Sequence, residues 1–200
     1  MPFPDPFSDS FFLDLNRVLD TFTEADRPRL RKMVEELERM AERLPSIAEK
    51  CYAYQARLYA RLQEYEQALA AIDRAIAFAP LDRDLVILRG DIYREAQEFS
   101  KAMLDYSRVL EKDPQAVTAR IHRAEVLLAR GKPAQALQDI NDALKHEPRS
   151  LRLLYRRGLV LAELRRIKDA CNDFRQVIQL SPDSDLRKKA EQRLRELGEA

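Results

Sequence analysis

From residue 49 onward, apolar side chains recur at helical spacing and are interrupted at fixed intervals by proline. Ala68, Ile72, Ala75 and Ile76 share one face of a helix. Ala56 and Tyr59, three residues apart, mark one face of the helix before it. The pattern then repeats with a step of 34 residues. Small residues stand at Ala56, Gly90, Ala124 and Gly158, and large ones at Tyr59, Tyr93, Leu127 and Leu161. Ala68, Ala102, Ala136 and Ala170 keep the same step, as do Ile72, Tyr106, Ile140 and Phe174, and Ala75, Val109, Ala143 and Val177. Pro80, Pro114, Pro148 and Pro182 close the periods. Each period therefore predicts two helices that approach through small residues. The proline ends the second helix, because it lacks an N–H and biases its predecessor away from helical geometry.

The first 48 residues do not follow this period. Their pattern predicts one amphipathic helix over about 9–22, with Phe12, Leu15, Leu19 and Phe22 on one face. A second is expected over roughly 27–44, striped by Leu30, Met33, Val34, Leu37, Met40 and Leu44, with Pro28 in its first turn and Pro45 at its end. Five of the eight phenylalanines fall in the first 22 residues. That hairpin either caps the open edge of the first period, or its Phe-rich segment docks in a groove, its own or a second molecule's, or mediates dimerisation. Pro2, Pro4 and Pro6 are expected to keep the extreme terminus extended. At the other end, 184–197 predicts a capping helix with Leu186, Ala190, Leu194 and Leu197 inward.

The register resembles the tetratricopeptide repeat, at Tyr52, Ala56, Tyr59, Tyr65, Ala68, Ile72, Ala75 and Pro80 and at the equivalent places of three further units. The resemblance implies an all-α, helix-turn-helix solenoid of four repeats (49–82, 83–116, 117–150, 151–184). A helical extension over 1–48 and a capping helix over 185–200 flank them. Departures are mild: Tyr52, Val86, Arg120 and Leu154 stand where the family's tryptophan falls, and Pro133 replaces an aromatic where a helix begins.

Composition narrows the function. Four glycines in 200 residues exclude a glycine-rich phosphate cradle, and a net charge of +1 gives no bulk attraction to nucleic acid or anionic membrane. No apolar run approaches a membrane span, no secretory signal opens the chain, and a cytoplasmic location is expected. Cys51 and Cys171 suggest neither a disulfide framework nor a metal site. His122 and His146 have no nucleophile or metal-binding pair beside them. Asp105, Asp139 and Asp173 recur with the period and read as solvated or salt-bridged. No catalytic, cofactor or metal site is expected, and so no enzyme.

What the resemblance implies instead is a groove lined by the first helices. Carried onto this chain, its contact positions are Tyr54, Arg57 and Arg61 in the first repeat and Ile87, Leu88 and Asp91 in the second. The third supplies Ile121, His122 and Glu125, and the fourth Arg152, Tyr155, Arg156 and Leu159. The expected function is a protein-interaction adaptor or scaffold that holds a peptide or partner helix by an apolar centre flanked by arginines. The alternative is a client-specific chaperone that dimerises through residues 1–48. A chaperone's acidic C-terminal tail is not the expected ligand. Of the five clamp positions used by relatives that bind such tails, Ile87, Asp91, His122, Arg152 and Arg156 here, only the last two are basic.

Overall fold

The computed structural model describes residues 9–182 and 184–198. Eleven α-helices run through them: α1 (Asp9–Thr21), α2 (Arg27–Arg43), α3 (Ala48–Arg61), α4 (Tyr65–Phe78), α5 (Arg83–Glu95) and α6 (Phe99–Lys112), then α7 (Val117–Ala129), α8 (Pro133–His146), α9 (Leu151–Glu163), α10 (Ile167–Leu180) and α11 (Ser184–Glu196). No strand occurs among the described residues. The expected extended run of Pro2, Pro4 and Pro6, with Phe3 and Phe7, lies outside them.

The 34-residue step is written into the backbone. Gln63, Gln97, Gly131 and Arg165 all adopt positive φ, between 60° and 68°. Each reverses the chain between a first and a second helix. The N–H of the next residue reaches back to the carbonyl of the large-residue column, Glu64 to Tyr59, Glu98 to Tyr93, Lys132 to Leu127 and Arg166 to Leu161, at 2.8–2.9 Å. This is the helix-ending arrangement that a left-handed residue makes possible. Only one of the four positions is glycine, so the other three hold their turn against a conformational preference.

The chain divides into two compact units, Met1–Asp105 and Tyr106–Ala200, the division falling inside α6. In the first unit, Leu15, Val18 and Leu19 of α1 share a core with Leu30, Met33, Val34 and Leu37 of α2 and with Cys51, Leu58 and Leu62 of α3. A second cluster joins α3, α4 and α5 through Ala56, Ala68, Ile72, Ala75, Leu85 and Ile92. Thus α2 packs on α3 as α4 packs on α5. The N-terminal helices, although outside the sequence period, both join the core of α3, and α2 packs along it. Gln55, buried on α3, donates from Nε2 to the Val34 carbonyl at 3.0 Å and to Glu38 at 2.7 Å.

In the second unit the small-residue column does its packing visibly. A Cβ placed on Gly158 of α9 would stand 2.6 Å from Cε1 of Phe174, a ring wholly buried on α10. Ala190 and Leu194 of α11 are buried, as a cap requires, while Leu186 and Leu197 are only half-buried.

The recurrent aspartates are not solvated. Asp105, Asp139 and Asp173 are 2–4% exposed, and each is held by both nitrogens of an arginine sixteen residues earlier, Arg89, Arg123 and Arg157. These bonds run from 2.6 to 2.8 Å. The bond to the aspartate pushes each guanidinium above its ordinary pKa, against the opposing effect of burial. A third partner comes from one hairpin back: Asp73 for Arg89, Ser107 for Arg123 and Asn141 for Arg157. In the first hairpin the column reads Gln55 and Ala71, and Gln55 turns to α2 instead.

Candidate functional site

The expected contact positions lie on first helices, and each unit presents its own set. In the first unit, the Tyr54 ring on α3 stands 5.2 Å from that of Phe12 on α1, centroid to centroid. Lys50 places its ammonium 3.9 Å from the centre of the Phe12 ring, and the Arg57 guanidinium lies 5.6 Å from that of Tyr54. The Phe-rich helix therefore runs beside the first-helix face, while α2 covers the packing edge of α3. A pocket of about 260 Å³ opens where Asn16 and Asp20 of α1 meet Arg57 and Arg61 of α3 and Leu88, Asp91 and Arg94 of α5. Its lining is mostly charged, and Asp91 pairs with Arg94 at 3.6 Å.

Ile87 departs from expectation. It was assigned to the open face, but it is 7% exposed. It lies three residues before the buried Gly90, on the same side of α5, and is itself buried. Leu88, about 100° further round the helix, is the residue that reaches the pocket.

In the second unit, Ile121 is half-buried on α7. His122 presents its ring edge-on to Tyr106 with centroids 5.9 Å apart. Glu125 forms an ion pair with Arg156 of α9, so two expected contact residues satisfy one another. Arg152 is exposed. Tyr155 packs against Phe174 at 5.7 Å and accepts a hydrogen bond from Arg193 of α11. That bond, and a second one to Glu196, raise the pKa of the Arg193 guanidinium.

A pocket of about 310 Å³ lies between α7, α9, α10 and α11. Leu128, Leu159, Ala162, Phe174 and Leu197 give it apolar walls, and Glu163, Arg193 and Glu196 edge it with charge. Of these, sequence reasoning assigned only Leu159. Arg193, Glu196 and Leu197 come from α11, outside the repeat columns, so no periodic signal pointed to them. The apolar contacts gather in this pocket beside α11, whereas the first unit's pocket is charged.

Among the described residues no cluster of histidine, cysteine, aspartate and glutamate could hold a metal ion. No described helix is long and apolar enough to cross a membrane. Cys51 and Cys171 are both buried, and they are not joined in a disulfide.

A model of the tetratricopeptide repeat matches residues 55–117 and 121–185, well over half of the chain. The chain belongs to the tetratricopeptide repeat family. No curated protein matches it in sequence. Among solved structures, this repeat protein is similar to YrrB, described as a TPR protein with an unusual peptide-binding site. The identity is 18%, over 89% of this chain and 88% of that one, with a TM-score of 0.61. It is similar to a tetratricopeptide repeat protein from Parabacteroides merdae, at 18% identity over 94% of this chain and 74% of that one, TM-score 0.70. The first repeat domain of Spaghetti (RPAP3), bound to the HSP90 peptide SRMEEVD, matches at 22% identity over 58% of this chain and 90% of that one, TM-score 0.53. At these identities the likeness establishes the tetratricopeptide fold.

Proposed function

We propose that this tetratricopeptide repeat protein is a non-enzymatic adaptor that holds a peptide or partner helix against its first-helix faces. In this reading, residues 49–184 form the binding repeats, residues 1–48 an N-terminal helical extension and residues 185–200 the cap. The cytoplasm is the compartment where it would act. The observation that carries the proposal is the apolar pocket of the second unit. Leu159, Leu128 and Leu197 line an opening rather than a closed core, and burying one such side chain against a ligand is worth about 1.5–3 kcal/mol. Two relatives support it, one with a described peptide-binding site and one with a peptide bound.

The arginines have more limited roles than a ring of free cations would. Arg156 is engaged by Glu125 and Arg193 by Tyr155 and Glu196, which leaves Arg57, Arg61 and Arg152 as the exposed cations on these faces. An acidic chaperone tail is not the ligand we propose, because Asp91 stands at one of the clamp positions and would repel a carboxylate. The test is affinity for a partner recovered by pull-down and identified by mass spectrometry. Leu88→Asp together with Tyr155→Ala is expected to weaken it at least tenfold. Unchanged affinity would overturn the groove reading.

A further inference from the structure

The first-helix face of the first unit already carries a helix, α1, and its mode of attachment shows what that face accepts. Leu15, Val18, Leu19 and Phe22 fall at i, i+3, i+4 and i+7, the spacing with which an amphipathic helix anchors itself in a groove. Leu15, Val18 and Leu19 are at most 7% exposed. Phe12, one turn earlier, meets the Tyr54 ring and lies 3.9 Å from the Lys50 ammonium. Met33 and Met40 of α2 belong to the same core, and methionine adapts its shape to different occupants.

Charge is matched as well. The α1 helix carries three aspartates and one arginine. Asp14 accepts a hydrogen bond from Arg29 of α2 at 2.7 Å, and Asp20 lines the 260 Å³ pocket with Arg57 and Arg61 of α3. With Asp20 set aside, the arginines of that pocket, Arg94 being the third, still outnumber Asp91 and Glu95. The face therefore favours a helix with carboxylates beside its apolar stripe.

The repeats also have a core apart from α1. The cluster that joins α3, α4 and α5 contains no α1 residue, and the pocket stays open where α1 faces α5. Only residues 22–26 tie α1 to α2.

We propose that α1 stands in the place of a partner's helix. The trough between α2 and the first-helix face of α3 receives, in exchange for α1, an amphipathic helix of the same apolar spacing. That helix carries an aromatic residue one turn ahead of the stripe and carboxylates at its edges. The proposal rests on reading the first-helix faces as binding surfaces, and it names the kind of partner that the first unit takes.

Fluorescence anisotropy of a labelled peptide of residues 9–23 tests this. In the wild-type chain the tethered α1, at an effective concentration of about millimolar, should exclude the peptide. Leu15→Asp with Leu19→Asp in the full chain is designed to release α1, and this variant is expected to bind the peptide at least tenfold more tightly than wild type. A peptide with the same two substitutions should not bind. One with Asp14→Lys and Asp20→Lys should bind at least threefold more weakly. A full chain with a specific protease site inserted after Phe22 removes the tether and leaves the apolar face intact. Once cut, it should exchange α1 for labelled peptide. Equal binding by wild type and the released variant, a lysine peptide that binds as well as the native one, or a cut chain that unfolds or fails to exchange would each overturn the proposal. A recovered partner whose affinity depends on Leu159 and Tyr155 keeps the groove reading intact even if the peptide never binds.

Discussion

Arg157 and Asp173 face each other across the α9–α10 hairpin with two parallel hydrogen bonds of 2.7 Å, Nε to Oδ2 and Nη2 to Oδ1. The pair recurs as Arg89 with Asp105 and Arg123 with Asp139, and these ladder pairs tie first helix to second in three hairpins, whereas α3 and α4 lack one. Bidentate geometry and deep burial of the carboxylate make this a different object from the surface ion pairs that cover the chain.

Removing one partner of a ladder pair is therefore expected to be costly. Asp139→Ala leaves Arg123, which is partly buried, without its main acceptor, and should lower unfolding free energy by about 2 kcal/mol. Asp169→Ala breaks only an exposed pair with Arg166 and should cost less than about 0.5 kcal/mol. Urea titration followed by circular dichroism compares the two.

The turn column makes a prediction of opposite signs. Gly131→Ala places a Cβ on a left-handed residue with φ of 68° and should destabilise by about 1 kcal/mol, although nothing nearby obstructs the methyl. Arg165→Gly relieves the same strain where φ is 60°, and should raise the melting temperature by a degree or more. No change in either variant would show that the left-handed turn is not a determinant of stability.

Gly158→Ala separates helix propensity from packing. In an open helix the change would gain roughly 0.5–1 kcal/mol. Here the new methyl meets the buried Phe174 ring, and a net loss of about 1–3 kcal/mol is expected from overpacking. Pairing it with Phe174→Leu should restore part of the loss, which thermal unfolding of the double variant would reveal.

Cys51 predicts an alkaline limb in stability. Burial pushes its thiol up to about 11 from an ordinary 9.0, with the nearby Lys50 charge opposing only weakly. The unfolded chain therefore releases this proton first as pH rises. The thiol's contribution to stability is complete below pH 9 and is lost between 9 and 11. Cys51→Ala should flatten that limb in a pH series of denaturant midpoints. At pH 8 the native thiol should also resist alkylation by iodoacetamide and react only once the chain unfolds.

Much of this protein was legible in its pattern of residues, because a 34-residue repeat imposes the same local problem several times. Small residues mark helix contacts, a large residue three positions on accepts the closing hydrogen bond of the turn, and proline ends the unit. Any one of these is weak, but their joint recurrence determined the helices, their pairing and the family.

Direction around a helix was less accessible. Ile87 and Leu88 are adjacent and both apolar, yet one is buried and the other borders a pocket, because they stand about 100° apart around α5. The aspartate column was identified by its period, but its burial depended on arginines sixteen residues away. Arg156 looked like a free cation until Glu125 was found beside it. Above all, the apolar pocket draws on four helices and needs α11 as a wall. The sequence by itself determined which residues repeat, and hence the hairpins. Only the tertiary structure decided which repeating positions meet, because a pocket is created by side chains far apart in the chain and no local periodicity encodes their convergence.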